Sequence, residues 1–182
     1  MIETQRLRLT PLTPVDIEPL ALLFLDPQVT RFLPQLVCRD LDAARALAGD
    51  RIEAYAQQWR TRGLARWGVR LRQDDSLIGW SGLSFVAEFD EVEMLWLLGQ
   101  PHWGRGVASE AARAAFDFGF ERHGLTRIVA MTLPENAAAR GVMEKFGMRY
   151  ERHARRRAFG DAAVVLYGLS RADYMASLGR AR

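Results

Sequence analysis

The sequence predicts a mixed α+β domain whose sheet is mostly antiparallel, with one parallel strand pair. Three observations lead there. Short apolar or alternating runs between positions 66 and 98 are separated by turns of only a few residues, as in an antiparallel meander. The run at 91–98 reaches the next one, at 126–133, through a segment of helical period, and a crossover of that length makes its two strands parallel. Finally, 49% hydrophobic and 26% charged residues in 182 positions suffice for one globular core and leave little for a second.

Each element can be justified in order. RLRLT (6–10) alternates as a half-buried strand does. Segments 14–25 and 27–33 read as short helices, the first capped by Thr13 with Pro14 in its first turn. Asp40 caps a longer helix in which Leu41, Ala44, Ala48, Ile52, Tyr55 and Trp59 recur at steps of three and four, and Gly63 ends it. RWGVRL (66–71) and LIGWSGLSF (77–85) then form a hairpin, and EVEMLWLL (91–98) is its third strand. A helix over about 106–122 stops at His123-Gly124, and TRIVAMTL (126–133) is a buried strand. A helix at 136–146 ends at Gly147. MRYERHARR and AAVVLYGLS pair around Gly160-Asp161, and a short helix follows at 171–178. With no internal repeat and no linker, 1–182 reads as a single domain with a sheet of about seven strands.

Composition excludes several function classes. No apolar run approaches the roughly 18 residues of a membrane span, and the start, MIETQRLRLTPL, lacks the apolar block of a secretory signal, so a cytoplasmic location is expected. Cys38 is the sole cysteine, which leaves no intrachain disulfide and no cysteine metal cluster. His102, His123 and His153 are too scattered for a structural zinc site, so no metal is expected. The net charge is +3 and the basic residues, all arginine but Lys145, are dispersed. Their one concentrated run, RHARRR (152–157), reads as a solvated strand edge, with an RNA-facing patch as the alternative. No membrane and no direct nucleic-acid partner is expected; a homodimer is compatible with the sequence.

The stretch QPHWGRGVASEAA (100–112) sets two glycines between a strand and an alanine-rich helix. Gly104 and Gly106 let the backbone take dihedrals closed to other residues. The amides from Trp103 to Ala108, at a helix start, can form an anion-binding nest aided by the helix dipole. It is not a P-loop, which needs a Gly-Lys-Ser/Thr ending, nor a dinucleotide fingerprint, since Ser109 stands where the third glycine belongs.

VEMLWLLGQPHWGRGVASEAARAAFDFGF, followed by RIVAMTLPENAAARGVMEKFGM, resembles the acetyl-CoA-binding core of the GNAT superfamily of N-acetyltransferases. The opening IETQRLRLTPLTPVDIEPLALLFLDPQVTRFL is similar to the RimJ/RimL-like branch, the ribosomal-protein N-terminal acetyltransferases, and the likeness runs on to GDAAVVLYGLSRADY. The resemblance implies the GNAT fold, with a splayed parallel pair at 91–98 and 126–133, and acetyl-CoA as co-substrate. It places the pyrophosphate on the amides of Arg105, Gly106, Val107 and Ala108, beside Trp103 and Gly104. Pro101 stands where Gln or Arg is frequent. The pantetheine arm would meet the backbone of Leu95, Trp96 and Leu97 and the side chain of Asn136, and Arg105 or Arg140 could meet a phosphate.

Acetyl transfer to an amine needs a neutral amine, a donor for the developing oxyanion and a leaving thiolate. Glu93 lies where the family often carries a strand glutamate and is the candidate base, acting through water; Glu91 shares its face at period two. Together with Glu88 and Asp90 they form a carboxylate cluster expected on the substrate side. The family's proton donors to the thiolate, a serine or a tyrosine on the helix after the asparagine, fall in register on Ala139 and Met143, which cannot donate; Tyr150 or Tyr167 could substitute, though nothing in the sequence places either there. Trp80 and Trp96 are expected in the core, with Trp103 packed beside the turn. The acceptor implied is a protein or peptide N-terminal α-amine. A small-molecule amine (aminoglycoside, polyamine or amino acid) and a low-turnover acyl-CoA-binding module stay open.

Overall fold

The computed structural model describes residues 1–179. Its sheet has eight strands in the order β1-β2-β3-β4-β5-β6-β8-β7. They are β1 (Ile2–Glu3), β2 (Leu7–Pro11), β3 (Arg66–Leu71), β4 (Leu77–Val86), β5 (Glu91–Leu98), β6 (Arg127–Thr132), β7 (Arg149–Arg156) and β8 (Ala162–Ser170). The strand beyond the expected seven is β1, whose two residues pair with Leu9 and Arg8; it is too short to carry any alternation. All pairings are antiparallel except β5 with β6, where the connection runs through a helix.

The helices are α1 (Ile17–Leu25), α2 (Pro27–Thr30), α3 (Leu41–Arg62), α4 (Val107–Asp117), α5 (Ala137–Lys145) and α6 (Arg171–Gly179). Asp40 accepts from the Ala43 N–H at 2.8 Å and Gly63 closes α3 at φ 64°, as the pattern predicts. Three spans differ from expectation. The helix expected over 14–25 opens as a 3-10 turn at Pro14–Asp16 and is α-helical only from Ile17. The helix expected over 27–33 stops after Thr30, because Leu33 precedes Pro34 and adopts φ −132°, ψ 67° instead of a helical conformation. The helix expected over 106–122 is α-helical to Asp117 and then widens into a π turn over Phe118–Arg122, with His123 N–H bonding to the Phe118 carbonyl at 2.8 Å.

Side-chain alternation along the strands gives the sheet two buried faces. On one, Val107, Ala111, Phe116, Met143 and Tyr174 from α4, α5 and α6, with Phe146 at the end of α5, pack with Met94, Leu98, Ile128, Val165 and Leu169. On the other, Leu20, Phe24, Ala44, Ala48 and Ile52 from α1 and α3 pack with Trp80 and Leu97. No described helix is long and apolar enough to cross a membrane.

Candidate active site

β5 and β6 are in ladder register only at Glu93 and Val129. Beyond that pair they part, and a cleft of about 440 Å³ lies along their diverging ends. Because side chains alternate, Met94, Trp96 and Leu98 line it together with Ala139, Val142 and Met143 of α5, while Leu95 and Leu97 line it together with Trp80, Met131 and Phe159. Segment 28–33, short of helix because of Pro34, contributes Gln28, Val29, Arg31, Phe32 and Leu33 to the second side. The cleft therefore passes through the sheet, and two ligands can meet in it from opposite faces.

At the α4 side stands the glycine turn. Gly104 and Gly106 have φ of 69° and 74°, and Gly106 caps α4. Both angles are in the left-handed region, where a side chain is strained even though a Cβ at Gly104 would touch nothing within 4 Å. The first N–H groups of α4 have no intrahelical partner and carry the positive end of the helix dipole. A neighbouring strand end braces the turn. Arg6 donates to the Arg105 carbonyl at 2.9 Å and pairs with Glu110 at 2.6 Å, and Glu110 also accepts from the Thr4 hydroxyl at 2.6 Å and the Arg6 N–H at 2.8 Å. Burial by itself raises the Glu110 carboxyl, but these hydrogen bonds outweigh it and hold the group below the usual carboxylate range. A ligand with a pyrophosphate head and a slim, amide-bearing arm fits this end: a backbone anion nest, then an apolar slot flanked by strand edges.

Most residues expected at the coenzyme are gathered here. Leu95, Trp96, Leu97, Trp103, Gly104, Ala108 and Asn136 line the cleft. Arg105, Gly106 and Val107 belong to the turn and the first residue of α4. Trp103 is half exposed and fixed by its indole N–H, which donates to the Leu98 carbonyl at 2.7 Å. Asn136 caps α5, accepting from the Ala139 N–H at 3.2 Å and donating to the Thr132 hydroxyl at 3.0 Å. Arg140 does not line the cleft; it lies beside the Tyr167 hydroxyl, which donates to Glu144 at 3.1 Å. Ala139 and Met143 do line it, so the two positions where the family's proton donors to the thiolate fall have side chains with no acidic proton. Tyr150, bonded to His153 at 2.8 Å, and Tyr167 both lie outside the lining.

The carboxylates are arranged differently from the expected substrate-side cluster. Among the described residues no Asp or Glu lines the cleft. Glu91 sits at the closed end of the strand pair, bonded to Arg127 at 2.8 Å, and Arg127 in turn holds Glu151 at 2.7 Å. Glu88 accepts the Arg157 N–H at 3.3 Å, and Asp90 occupies a tight turn at φ 53°. Glu93 is 1% exposed, two residues before Leu95 on the same face. Its partner is Arg156, itself 6% exposed, with Nη2 at 2.6 Å from Oε2 in a charge contact rather than an aligned hydrogen bond. Burial raises the Glu93 carboxyl above the usual range, and Arg156 opposes that shift. Arg156 belongs to the run read as a solvated edge. The strand is indeed an edge and mostly exposed, but its last residue turns inward.

Sequence reasoning missed four contributing residues: Trp80, Arg6, Glu110 and Arg31. Trp80, placed in the core, is buried there and also lines the cleft, as does Trp96. Arg6 and Glu110 brace the turn across about a hundred positions of sequence, a pairing that no local pattern signals. Arg31 joins the cleft because α2 breaks off early, and the Leu33-Pro34 pair is the local signal for that break.

Comparison with known proteins gives this arrangement a family. The GNAT acetyltransferase domain model matches residues 6–149, and the chain belongs to that family of acetyltransferases. It is 28% identical over 152 residues to the uncharacterised N-acetyltransferase YoaA of Bacillus subtilis, covering 83% of this chain and 84% of the other. It is 33% identical over 128 residues to the uncharacterised N-acetyltransferase YnaD of the same organism, covering 69% of each. Among solved structures, a GNAT-family acetyltransferase from Bacillus anthracis superposes with a TM-score of 0.77 at 25% identity, over 94% of this chain and 98% of that one. A protein from Vibrio cholerae assigned as a ribosomal-protein-serine acetyltransferase superposes with a TM-score of 0.72 at 27% identity, over 93% and 96%.

Proposed function

We propose that the protein transfers the acetyl group of acetyl-CoA to the α-amine of a protein or peptide N-terminus, as a RimJ/RimL-like enzyme. The observation that carries this reading is the absence of any carboxylate from the cleft lining among the described residues. An α-amine has pKa near 7.7–8.0 and is partly neutral at physiological pH, whereas a lysine-type amine near 10.4 needs a strong base. A polyamine or aminoglycoside would further need acidic partners for its other charges, and the cleft has none among the described residues. The assignment of the Vibrio cholerae neighbour supports the same acceptor class.

In this reading the amides of Arg105 to Ala108 hold the pyrophosphate, with Trp103 and Gly104 beside it. The strand edge at Leu95 to Leu97 and the Asn136 amide steady the arm between β5 and β6. Acetyl-CoA supplies an activated thioester: the amine nitrogen bonds to its carbonyl carbon as the carbon–sulfur bond breaks. Backbone N–H groups on the open edge of β5 face the developing oxyanion. Glu93, made more basic by burial, takes the ammonium proton through water, while Arg156 holds its carboxylate in place. Ala139 and Met143 leave the thiolate to depart unassisted, which a thiol of pKa about 8.5 tolerates. Glu91, committed to Arg127, takes no part.

The test is to incubate the protein with acetyl-CoA and a panel of N-terminal peptides, lysine-only peptides, spermidine and an aminoglycoside, following thiol release and acetyl incorporation. Neutral fractions alone favour the α-amine over a lysine amine by on the order of a hundredfold near pH 7.5. Turnover confined to spermidine or the aminoglycoside would sink the proposed acceptor.

A further inference from the structure

On the acceptor side of the cleft the protein buries hydrogen-bond donors that it does not itself use. Trp80 is 1% exposed, lines the cleft, and its indole N–H has no partner among the described residues. The contrast with its neighbours is direct, since Trp59 donates to the Arg66 carbonyl at 3.4 Å and Trp103 to the Leu98 carbonyl at 2.7 Å. Two guanidinium groups stand behind the same wall. Arg66 lies over the Trp80 ring at 4.3 Å, and Arg156 over Phe159, another lining residue, at 5.6 Å. The Nε–H of each is buried and without a partner among the described residues.

Buried donors left unpaired are costly and uncommon, and where a cleft passes beside them a ligand can supply the missing acceptor. All three of these groups call for an oxygen. Arg31 at the same side of the cleft adds an exposed guanidinium with no ion pair among the described residues. Glu93, outside the lining, already pairs with Arg156 and lies in the field of Arg66, so among the described residues the Trp80 N–H is the donor with no acidic neighbour of its own.

We propose that the acceptor carries a carbonyl oxygen on the carbon next to its amine-bearing carbon, and that the Trp80 indole N–H donates to it. The acceptor is then an α-aminoacyl group, not a plain alkylamine, and Trp80 is the residue that tells them apart. This rests on the cleft being the acetyl-transfer site. It adds a recognition element to the amine's pKa: a site built to pair with a substrate oxygen discriminates strongly against an analogue lacking it.

The experiment compares wild type with Trp80→Phe, which keeps the aromatic bulk and removes the N–H, after thermal shift has established acetyl-CoA binding for both. The acceptors are alaninamide and sec-butylamine, which lacks the carbonyl, with free alanine as a third arm. Dividing the variant's kcat/KM by the wild type's for each amine cancels the difference in amine pKa. The expected result is a loss of about tenfold for alaninamide and less than about twofold for sec-butylamine. Wild-type preference for free alanine over alaninamide would assign the oxygen to a carboxylate; the reverse assigns it to a peptide carbonyl. Equal losses on both amines, or none on either, overturn the proposal and leave Trp80 a packing residue. If Trp80→Phe does not fold, the wild type still decides: equal rates on the two amines, per neutral amine, overturn it. So does a protein that binds acetyl-CoA and acetylates neither. Absence of coenzyme binding to wild type would instead defeat the acetyl-transfer reading itself.

Discussion

At the α4 side of the cleft the groups that face a ligand are backbone amides, set by two glycines at φ 69° and 74°, whereas at the α1–α3 side they are side chains drawn from β4, β5, β6 and segment 28–33. The first arrangement tolerates almost any side chain that leaves the backbone angles alone. The second depends on which residues happen to meet across the sheet. A backbone-built site leaves a local trace in the sequence, and a side-chain-built site leaves pieces that acquire meaning only together.

The largest effect on coenzyme binding, as distinct from the stability of the free protein, should come from breaking the backbone end. Gly106→Asp strains a left-handed position and puts a carboxylate against the amides proposed to hold the phosphates. Wild type with acetyl-CoA at about 100 times its Kd should gain roughly 2.7 kcal/mol of stability, read as a raised melting temperature. The variant should gain none, and a full shift in it would mean that the coenzyme's phosphates bind elsewhere.

Next comes the buried pair behind the side-chain end. Arg156→Met leaves the Glu93 carboxylate alone at 1% exposure, and urea titration should show a loss of about 3–5 kcal/mol near neutral pH. With its partner gone, burial raises the Glu93 carboxyl further, opposed only by the more distant Arg66 charge and the Met131 backbone N–H. A group whose folded pKa is raised contributes stability at low pH and loses it as pH rises through the folded value, so the variant should be less handicapped at pH 5 than at pH 8. Adding Glu93→Gln should recover most of the loss. A pH-independent deficit would show that Arg156 matters for packing alone.

The smallest effect belongs to the brace under the turn. Glu110→Gln should cost about 1–2 kcal/mol, since the carboxylate gathers donors from Thr4 and Arg6. The Glu110 carboxyl is held below its usual range, so its contribution is present above the unfolded value of about 4.3 and is lost as pH falls through the folded one. Between neutral pH and about pH 3 the melting temperature of wild type should therefore fall further than that of Glu110→Gln. Parallel curves would remove Glu110 from the account of how the turn is held.

Much of the glycine-turn end of the cleft, where we propose the coenzyme binds, is legible in the amino-acid sequence alone. Gly104, Gly106, the strand before them and the helix after them occupy one short stretch, and the physics that joins them is local: φ above zero, free amides, a helix dipole. Asn136 is legible for the same reason, standing directly before its helix. Arg140 is less legible because a helical period gives a residue's spacing without its partner, and the structure sets it beside Tyr167 and outside the cleft lining. The carboxylates of EFDEVE look like one cluster because they are adjacent in sequence. The strand turns Glu93 toward Arg156, the ladder sets Glu91 against Arg127, and the hairpin leaves Asp90 in its turn.

The sequence by itself determined the order and type of nearly every element, the parallel placement of β5 beside β6, and the glycine cradle, because hydrophobic period, capping and turn chemistry act over a few residues. Tertiary structure alone decided where β5 and β6 part, that Trp80 would be both core and cleft wall, and that Arg156 would leave an exposed strand to pair with Glu93. Those outcomes depend on long-range contacts among α1, α3, β4, β7 and β8, and no window of the chain holds both partners of any of them.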